Sequence, residues 1–259
     1  MKRYSLTEVG NVLDQLGITT GDTVLVQSAL VDLGIPRDVD LTALAQHYYN
    51  IIRSRIGDSG TICAQGFSFG PCQGEVFDGK TTVVSTGAFA EYLRHREDAL
   101  RSPHPIQSVI ASGPNAASIC ASDTSSGYDA DGPYGRLIAL DAKLLLIGRR
   151  NVQTGSCAHY AEEQQRVPYR YWKTFPIRYR KDGQISRREY QMFVRDLNID
   201  PQTDVTRACT RLEQSGIIRS LSVGGSDIRV ASARELTEEF MKMLSVDPWC
   251  LVKARRGGG

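Results

Sequence analysis

A chain of 259 residues, 41% hydrophobic and 23% charged, has the ordinary make-up of a globular protein and enough length to bury a substantial core. Its 31 Lys and Arg against 29 Asp and Glu leave a formal net charge of +2, far from the basic balance of a nucleic-acid binder. No apolar run approaches the roughly 18 residues of a membrane-spanning helix, so neither nucleic acid nor membrane is an expected partner.

The first residues, "MKRYSLTEVGNVLDQLG", read as a helix and not as a signal peptide, because charges interrupt them and no apolar stretch follows. Ser5 and Glu8 have capping-box spacing, and Gly17 supplies the stop. "DTVLVQSAL" is a β-branched apolar run expected to be a buried strand. "LTALAQHYYNIIRSRIG" has helical spacing, "GTICAQGF" reads as a second strand, and "TGAFAEYLRHRE" as a helix capped by Thr86. "QSVIASG" is a third strand, and "DGPYGRLIALD" with "AKLLLIGRR" makes a helix followed by a strand. Beyond this point the texture changes. "KTFPIRYRKDGQISRREYQMFV" holds Lys181-Asp182-Gly183 between alternating runs, a hairpin signal. "DVTRACTRLEQSG" is a helix, "IIRSLSVGGSDIRVAS" a second hairpin, and "ARELTEEFMKMLSVDP" a closing helix. One α/β domain over residues 1–255 is expected, its mixed sheet made partly antiparallel by the hairpins. The final glycines, within 256–259, read as a disordered tail.

The cysteines at 63, 72, 120, 157, 209 and 250 are dispersed, with no C-x-x-C pair, which suits a reducing cytoplasm better than a disulfide framework. Among four histidines, His47 and His95 sit in helical patterns and read as structural or surface groups. His104 is clamped between Pro103 and Pro105, which fix the backbone on both sides. His159 follows the strand "KLLLIG" in a loop opening into a helix, a place where sites form in α/β proteins. Glu162 and Glu163, three and four residues on, can share its helical face. A Cys157/His159/Glu163 metal site lacks a fourth ligand pattern, so no metal is expected. Neither a G-x-S-x-G elbow nor a phosphate-cradling glycine loop is present. Spacing alone therefore supports a histidine-centred site without fixing its reaction.

Five segments carry a family resemblance: "VLVQSALVDLG" (24–34), "GTICAQGFSFG" (60–70), "RSPHPIQSVIASGPNA" (101–116), "GPYGRLIALDAKLLLIG" (132–148) and "VQTGSCAHYAEE" (152–163). In order and spacing the chain resembles the aminoglycoside 3-N-acetyltransferase family, also called antibiotic N-acetyltransferases. The resemblance implies an α/β/α sandwich that binds acetyl-CoA in a tunnel and transfers its acetyl group to a primary amine, usually on an amino sugar. It implies that His159 is the catalytic histidine. It also implies that Ser28, Ala29, Leu30, Val31, Gly34, His104, Ser108 and Val109 line the acetyl-CoA channel, and that Phe67, Asp131 and Glu163 face the acceptor. A homodimer is compatible with it.

The residue types suit that chemistry. An alkylamine with a pKa of about 10 is protonated at neutral pH and cannot attack a thioester until a base takes its proton. Imidazole, with an ordinary pKa of about 6.5, is a suitable base. Glu162, Glu163, Glu189 and Asp196 are candidate carboxylates for its second nitrogen, and the sequence does not choose among them. Backbone N–H groups near Ser28 to Leu30 are candidate donors to the thioester oxygen. The chain departs from the family pattern at Ala64-Gln65-Gly66-Phe67 and lacks a histidine within "CASDTSSGYDADGPY". Asp123, Asp129 and Asp131 would give a polycation an acidic cleft. The basic run "YRYWKTFPIRYRKDGQISRR" reads first as a solvated face; as part of a site it fits an anionic acceptor, such as a nucleotide-linked amino sugar, at least as well as an aminoglycoside. Two competing readings are a non-catalytic CoA-binding or interaction module on the same fold, and an acyltransferase using Cys157 as nucleophile.

Overall fold

The computed structural model describes residues 2–37, 39–148, 154 and 156–253; the tail expected at 256–259 lies outside them. Seven strands form one mixed sheet in the order Arg219–Val223, Ser226–Ser232, Lys143–Ile147, Thr23–Ser28, Thr61–Phe67, Gln107–Ser112, Ala99–Arg101. The three central strands, Lys143–Ile147, Thr23–Ser28 and Thr61–Phe67, run parallel, and the outer pairings are antiparallel.

The continuous apolar runs are explained by burial on both faces. Leu25, Leu144 and Leu146 point into one core, packed with the helices Pro133–Ala139, Cys157–Gln164, Thr206–Gln214 and Ala233–Val246. Val24, Val26, Leu145 and Ile147 point into the other, packed with Leu6–Gln15, Leu44–Ile56 and Ala88–Arg94. Helices on both faces of a mixed sheet make the α/β/α sandwich that was expected. Among the described residues no helix is long and apolar enough to cross a membrane.

Local signals work as their chemistry requires. Ser5 accepts from the Glu8 N–H at 3.1 Å while Glu8 accepts from the Ser5 N–H at 2.5 Å, a complete capping box. The strands Arg170–Lys181 and Gln184–Arg195 pair over all twelve registers. Their turn puts Asp182 at φ 50° and Gly183 at φ 80°, the primed geometry that follows the twist of the strands. The short strand Val76–Asp78 joins this hairpin in parallel, a pairing that no sequence pattern announced.

Thr86 is a correction. The helix Ala88–Arg94 starts from Gly87 with no side-chain cap, and the Thr86 hydroxyl donates to the Gln65 carbonyl. Its role is to tie the loop before the helix to the end of a central strand.

Candidate active site

Parallel strands send their carboxyl ends to one edge of the sheet, and there Gln27, Gln65 and Phe67 meet the segment that follows Lys143–Ile147. The helix Cys157–Gln164 is entered through Ser156, whose φ of 71° is left-handed, an uncommon conformation for a serine. Side-chain bonds hold it there: the Ser156 Oγ accepts from Gln65 Nε2 at 2.7 Å and from the Tyr128 hydroxyl at 3.0 Å. Gln27 Nε2 in turn donates to Gln65 Oε1 at 2.9 Å. Strain held by surrounding bonds at a sheet edge is a common property of functional sites.

One turn into that helix, His159 presents a ring 39% exposed, and its Nδ1 lies 2.7 Å from Glu162 Oε2. Glu162 is 1% exposed, and it also accepts from Arg170 Nη2 at 2.9 Å and from the Tyr169 hydroxyl at 2.8 Å. Burial works to raise its carboxyl, but the bonds and charges of His159 and Arg170, with the Tyr169 hydroxyl, outweigh burial and hold it below the usual value. An ionised Glu162 can only accept, so the proton of a neutral His159 belongs on Nδ1 and the lone pair on Nε2. Arg170 stands 3.2 Å from Nδ1, and since a guanidinium cannot accept, both donors converge on the carboxylate.

Tyr169 and Arg170 arrive by a tight reversal. The helix ends at Gln164, Arg166 takes a φ of 50°, and the Val167 N–H returns to the Glu162 carbonyl. His159 then lies between two cavities of about 560 and 510 Å³. Phe67, His159 and Thr203 line both.

The expected site residues divide. Phe67 and His159 are at the cavities, and Ser28 lines a narrow crevice beside Gln27 and Gln65. Glu162 is the carboxylate at His159. Asp196 is not: its carboxylate caps the Asn198 N–H at 2.9 Å, and Glu189 is exposed on the hairpin. Ala29 donates its N–H to the Ile147 carbonyl at 2.8 Å, which removes it as a donor to a substrate oxygen. Leu30 is buried, Val31 is 71% exposed, and Gly34 at φ 106° lies against the Lys2 carbonyl, away from the cavities. Asp131 is exposed in a turn closed by Asp129 and lines neither cavity.

"RSPHPIQS", expected to wall the channel, forms a buried brace. His104, Ser108 and Val109 are 0% exposed and line none of the cavities described here. His104 Nδ1 accepts from the Ile106 and Gln107 N–H groups, and burial pushes its pKa down to about 4. Ser108 donates to the Gly66 carbonyl at 2.5 Å, and a Cβ on Gly66 would stand 2.7 Å from that hydroxyl. Arg101 donates to the Gly66 and Thr82 carbonyls and to the Ser68 and Ser108 hydroxyls at 2.6–2.9 Å, and burial pushes its pKa down to about 10. These bonds fix the strand end that presents Phe67.

Glu163 turns away from the cavities and accepts from the Ser126 hydroxyl at 2.8 Å. Burial pushes its pKa up to about 7, with Asp129 adding to the rise while Ser126 and Arg170 oppose it. The folded chain therefore holds this proton more tightly than the unfolded chain, whose carboxyl titrates near 4.5. The stability this provides is full below about pH 4.5 and is lost as pH rises through about 7. Glu163→Gln is expected to flatten that part of the profile. The check is the difference in urea midpoint between the two proteins from pH 4.5 to 7.5, which should close as the pH falls.

Cys157 is buried, and burial pushes its thiol up to about 11. Among the described residues no group of three His, Cys, Asp or Glu could hold a metal ion, and all six cysteines are free.

Known proteins share both the fold and the sequence pattern. The profile of the aminoglycoside 3-N-acetyltransferase family matches residues 50–245. Aminoglycoside N(3)-acetyltransferase III of Salmonella sp. is 26% identical over 194 residues, 68% of this chain and 65% of the relative. The chain thus spans just under two thirds of that protein's length. Aminoglycoside N(3)-acetyltransferase VII of Streptomyces paromomycinus is 23% identical over 260 residues, 90% of this chain and 88% of the relative. Among solved structures, aminoglycoside acetyltransferase AAC(3)-Xa superposes with a TM-score of 0.80 at 21% identity, covering 93% of each chain. The YokD protein of Bacillus subtilis gives 0.79 at 20% identity over 96% of this chain and 95% of its own. AAC-IIIb, solved as a binary complex with CoASH, gives 0.78 at 20% identity over 94% of this chain and 97% of its own. With the family profile spanning three quarters of the sequence, the chain belongs to the aminoglycoside 3-N-acetyltransferase family.

Proposed function

We propose that the protein is an acetyl-CoA-dependent N-acetyltransferase acting on a primary amine of an amino sugar, with His159 as general base. The observation that carries this reading is the His159–Glu162 pair at the junction of two cavities. One arm would take the thioester and the other the amine, so that the reacting atoms meet at Nε2. The relatives' names and the CoASH complex of a structural neighbour agree with the reading.

The cavity that holds Gln27, Gln65 and Ser156 suits the thioester arm. Gln27 Oε1 is buried without a hydrogen-bond partner among the described residues, and an amide N–H of a pantetheine chain would satisfy it. In the reaction, the His159 Nε2 lone pair takes a proton from the ammonium of the acceptor. The freed amine attacks the thioester carbon, a C–N bond forms, and the C–S bond breaks. The thiolate leaves and takes the surplus proton of the attacking nitrogen, which gives a neutral amide and a thiol; Glu162 stabilises the imidazolium through Nδ1 until Nε2 returns its proton to water. With the Ala29 N–H engaged, the N–H groups that open the 3-10 turn Leu30–Leu33 are the remaining backbone donors beside the crevice that Ser28 lines.

Acetyl-CoA at millimolar concentration is expected to raise the melting temperature, because a ligand selective for the native state stabilises it by mass action. Thiol release should require an amine. An unchanged melting temperature would sink this reading. Binding without thiol release across a broad amine panel would favour a non-catalytic CoA-binding module.

A further inference from the structure

We propose, building on the transferase reading, that the 510 Å³ cavity selects an amine that also carries an anionic group, phosphate or carboxylate, over a polycationic amino sugar. No carboxylate lines this cavity among the described residues, whereas Arg170 and Arg195 both do. The two are direct partners in the register of the hairpin, so like charges face each other at its base. Such a pairing is unfavourable unless something negative lies between the two groups.

Glu162 answers only part of that charge. It engages Arg170 through Nη2, while Arg170 Nε, on a side chain 10% exposed, has no hydrogen-bond partner among the described residues. Arg195 donates to the Pro201 carbonyl at 3.2 Å and forms no ion pair among the described residues. An unmet N–H on a buried guanidinium is costly, and an oxyanion placed between two arginines meets it with charge-assisted bonds.

A polycation would find the opposite. The neighbouring carboxylates are engaged: Glu162 by three partners, Glu163 by Ser126, and Asp204 of the adjoining cavity by Lys253 at 2.8 Å. Phe67, Phe69, Met192 and Phe193 give the cavity an apolar and aromatic wall, which suits a sugar or ring face. Gln107 Oε1, on the same wall, is buried without a partner among the described residues and would accept from a hydroxyl of the acceptor.

The test compares glucosamine, glucosamine 6-phosphate and gentamicin as acceptors for wild type and Arg195→Glu, by thiol release from acetyl-CoA. The expected kcat/KM for the sugar phosphate exceeds that for glucosamine by about tenfold or more, with gentamicin poorest, as one charge-assisted contact allows. Arg195→Glu should erase the phosphate advantage. Three results overturn the proposal: gentamicin is the best acceptor, the phosphate advantage survives Arg195→Glu, or the variant instead raises the KM for acetyl-CoA. If none of the three turns over, calorimetric titration decides. Binding of glucosamine 6-phosphate that Arg195→Glu abolishes sustains the proposal; tighter gentamicin binding, or no binding of the sugar phosphate, overturns it. A protein whose melting temperature ignores acetyl-CoA fails the transferase reading itself. One that binds acetyl-CoA and prefers gentamicin fails only this inference.

Discussion

His159→Ala is expected to lower turnover about 10²–10⁴-fold, the usual contribution of a positioned general base, while acetyl-CoA binding changes little. The ring is 39% exposed and, among the described residues, makes its side-chain hydrogen bonds through Nδ1, so its removal should not unfold the helix that carries it. What is lost is the Nε2 lone pair of a residue that lines both cavities. His159→Gln can keep a polar contact to Glu162 but cannot take a proton at neutral pH, so it should be comparably slow. Cys157 provides the control for a covalent route. A buried thiol pushed up to about 11 is a poor nucleophile at neutral pH. Cys157→Ala should therefore keep most activity, and incubation with acetyl-CoA alone should add no acetyl mass. Near-normal turnover in His159→Ala, measured with a good acceptor, would remove the general-base assignment. An inactive Cys157→Ala together with an acetyl adduct on Cys157 would replace it with a cysteine mechanism.

What the sequence made legible follows the range of each signal. The strand Thr23–Ser28 and the helix Leu6–Gln15 are written in local patterns, an apolar run and a capping box, and both form where read. His159 with Glu162 was legible because three residues along a helix is one turn, a contact the backbone itself dictates. Tyr169 and Arg170 were hidden in a basic run. Their approach to Glu162 depends on a non-glycine residue, Arg166, adopting a positive φ, which no residue preference announces. Long-range contacts failed in the same way. Asp196 and Glu163 have suitable chemistry, but one caps its own turn and the other bonds Ser126, thirty-seven residues earlier in the chain. "RSPHPIQS" offered a histidine and a serine that read as site residues. Ser108 is interior because its strand packs between Thr61–Phe67 and Ala99–Arg101, and His104, just before that strand, turns its Nδ1 back onto the Ile106 and Gln107 N–H groups.

Glu162→Gln is the second large effect, and it should appear in turnover and in stability together. The substitution keeps size and shape but offers an amide where His159 Nδ1, Arg170 Nη2 and the Tyr169 hydroxyl all need an acceptor. Without the carboxylate, nothing requires the His159 proton to sit on Nδ1, and the imidazolium formed during transfer loses its counter-charge. A turnover loss of about 10²–10⁴-fold is expected, as for removal of the base it orients. Arg170, 10% exposed, is left beside Arg195 with its carboxylate gone, and breaking a buried ion pair of this kind costs about 3–5 kcal/mol. The pH dependence has a definite sign. The Glu162 carboxyl is held below its ordinary value in the fold, so its stabilisation is present above the ordinary carboxylate range and is lost as pH falls through the lowered folded value. The stability gap between wild type and Glu162→Gln should therefore be wide at pH 7, with wild type the more stable, and narrow under acid; the Glu163→Gln gap also narrows under acid but has the opposite sign, the variant being the more stable at pH 7. Tyr169→Phe separates the two roles: it removes one hydroxyl donor and leaves the charge, so it should cost about 0.5–1.5 kcal/mol in unfolding free energy and keep turnover within about tenfold. If Glu162→Gln keeps wild-type turnover, or if its stability gap is unchanged between pH 7 and pH 4, the carboxylate does not position the base as described.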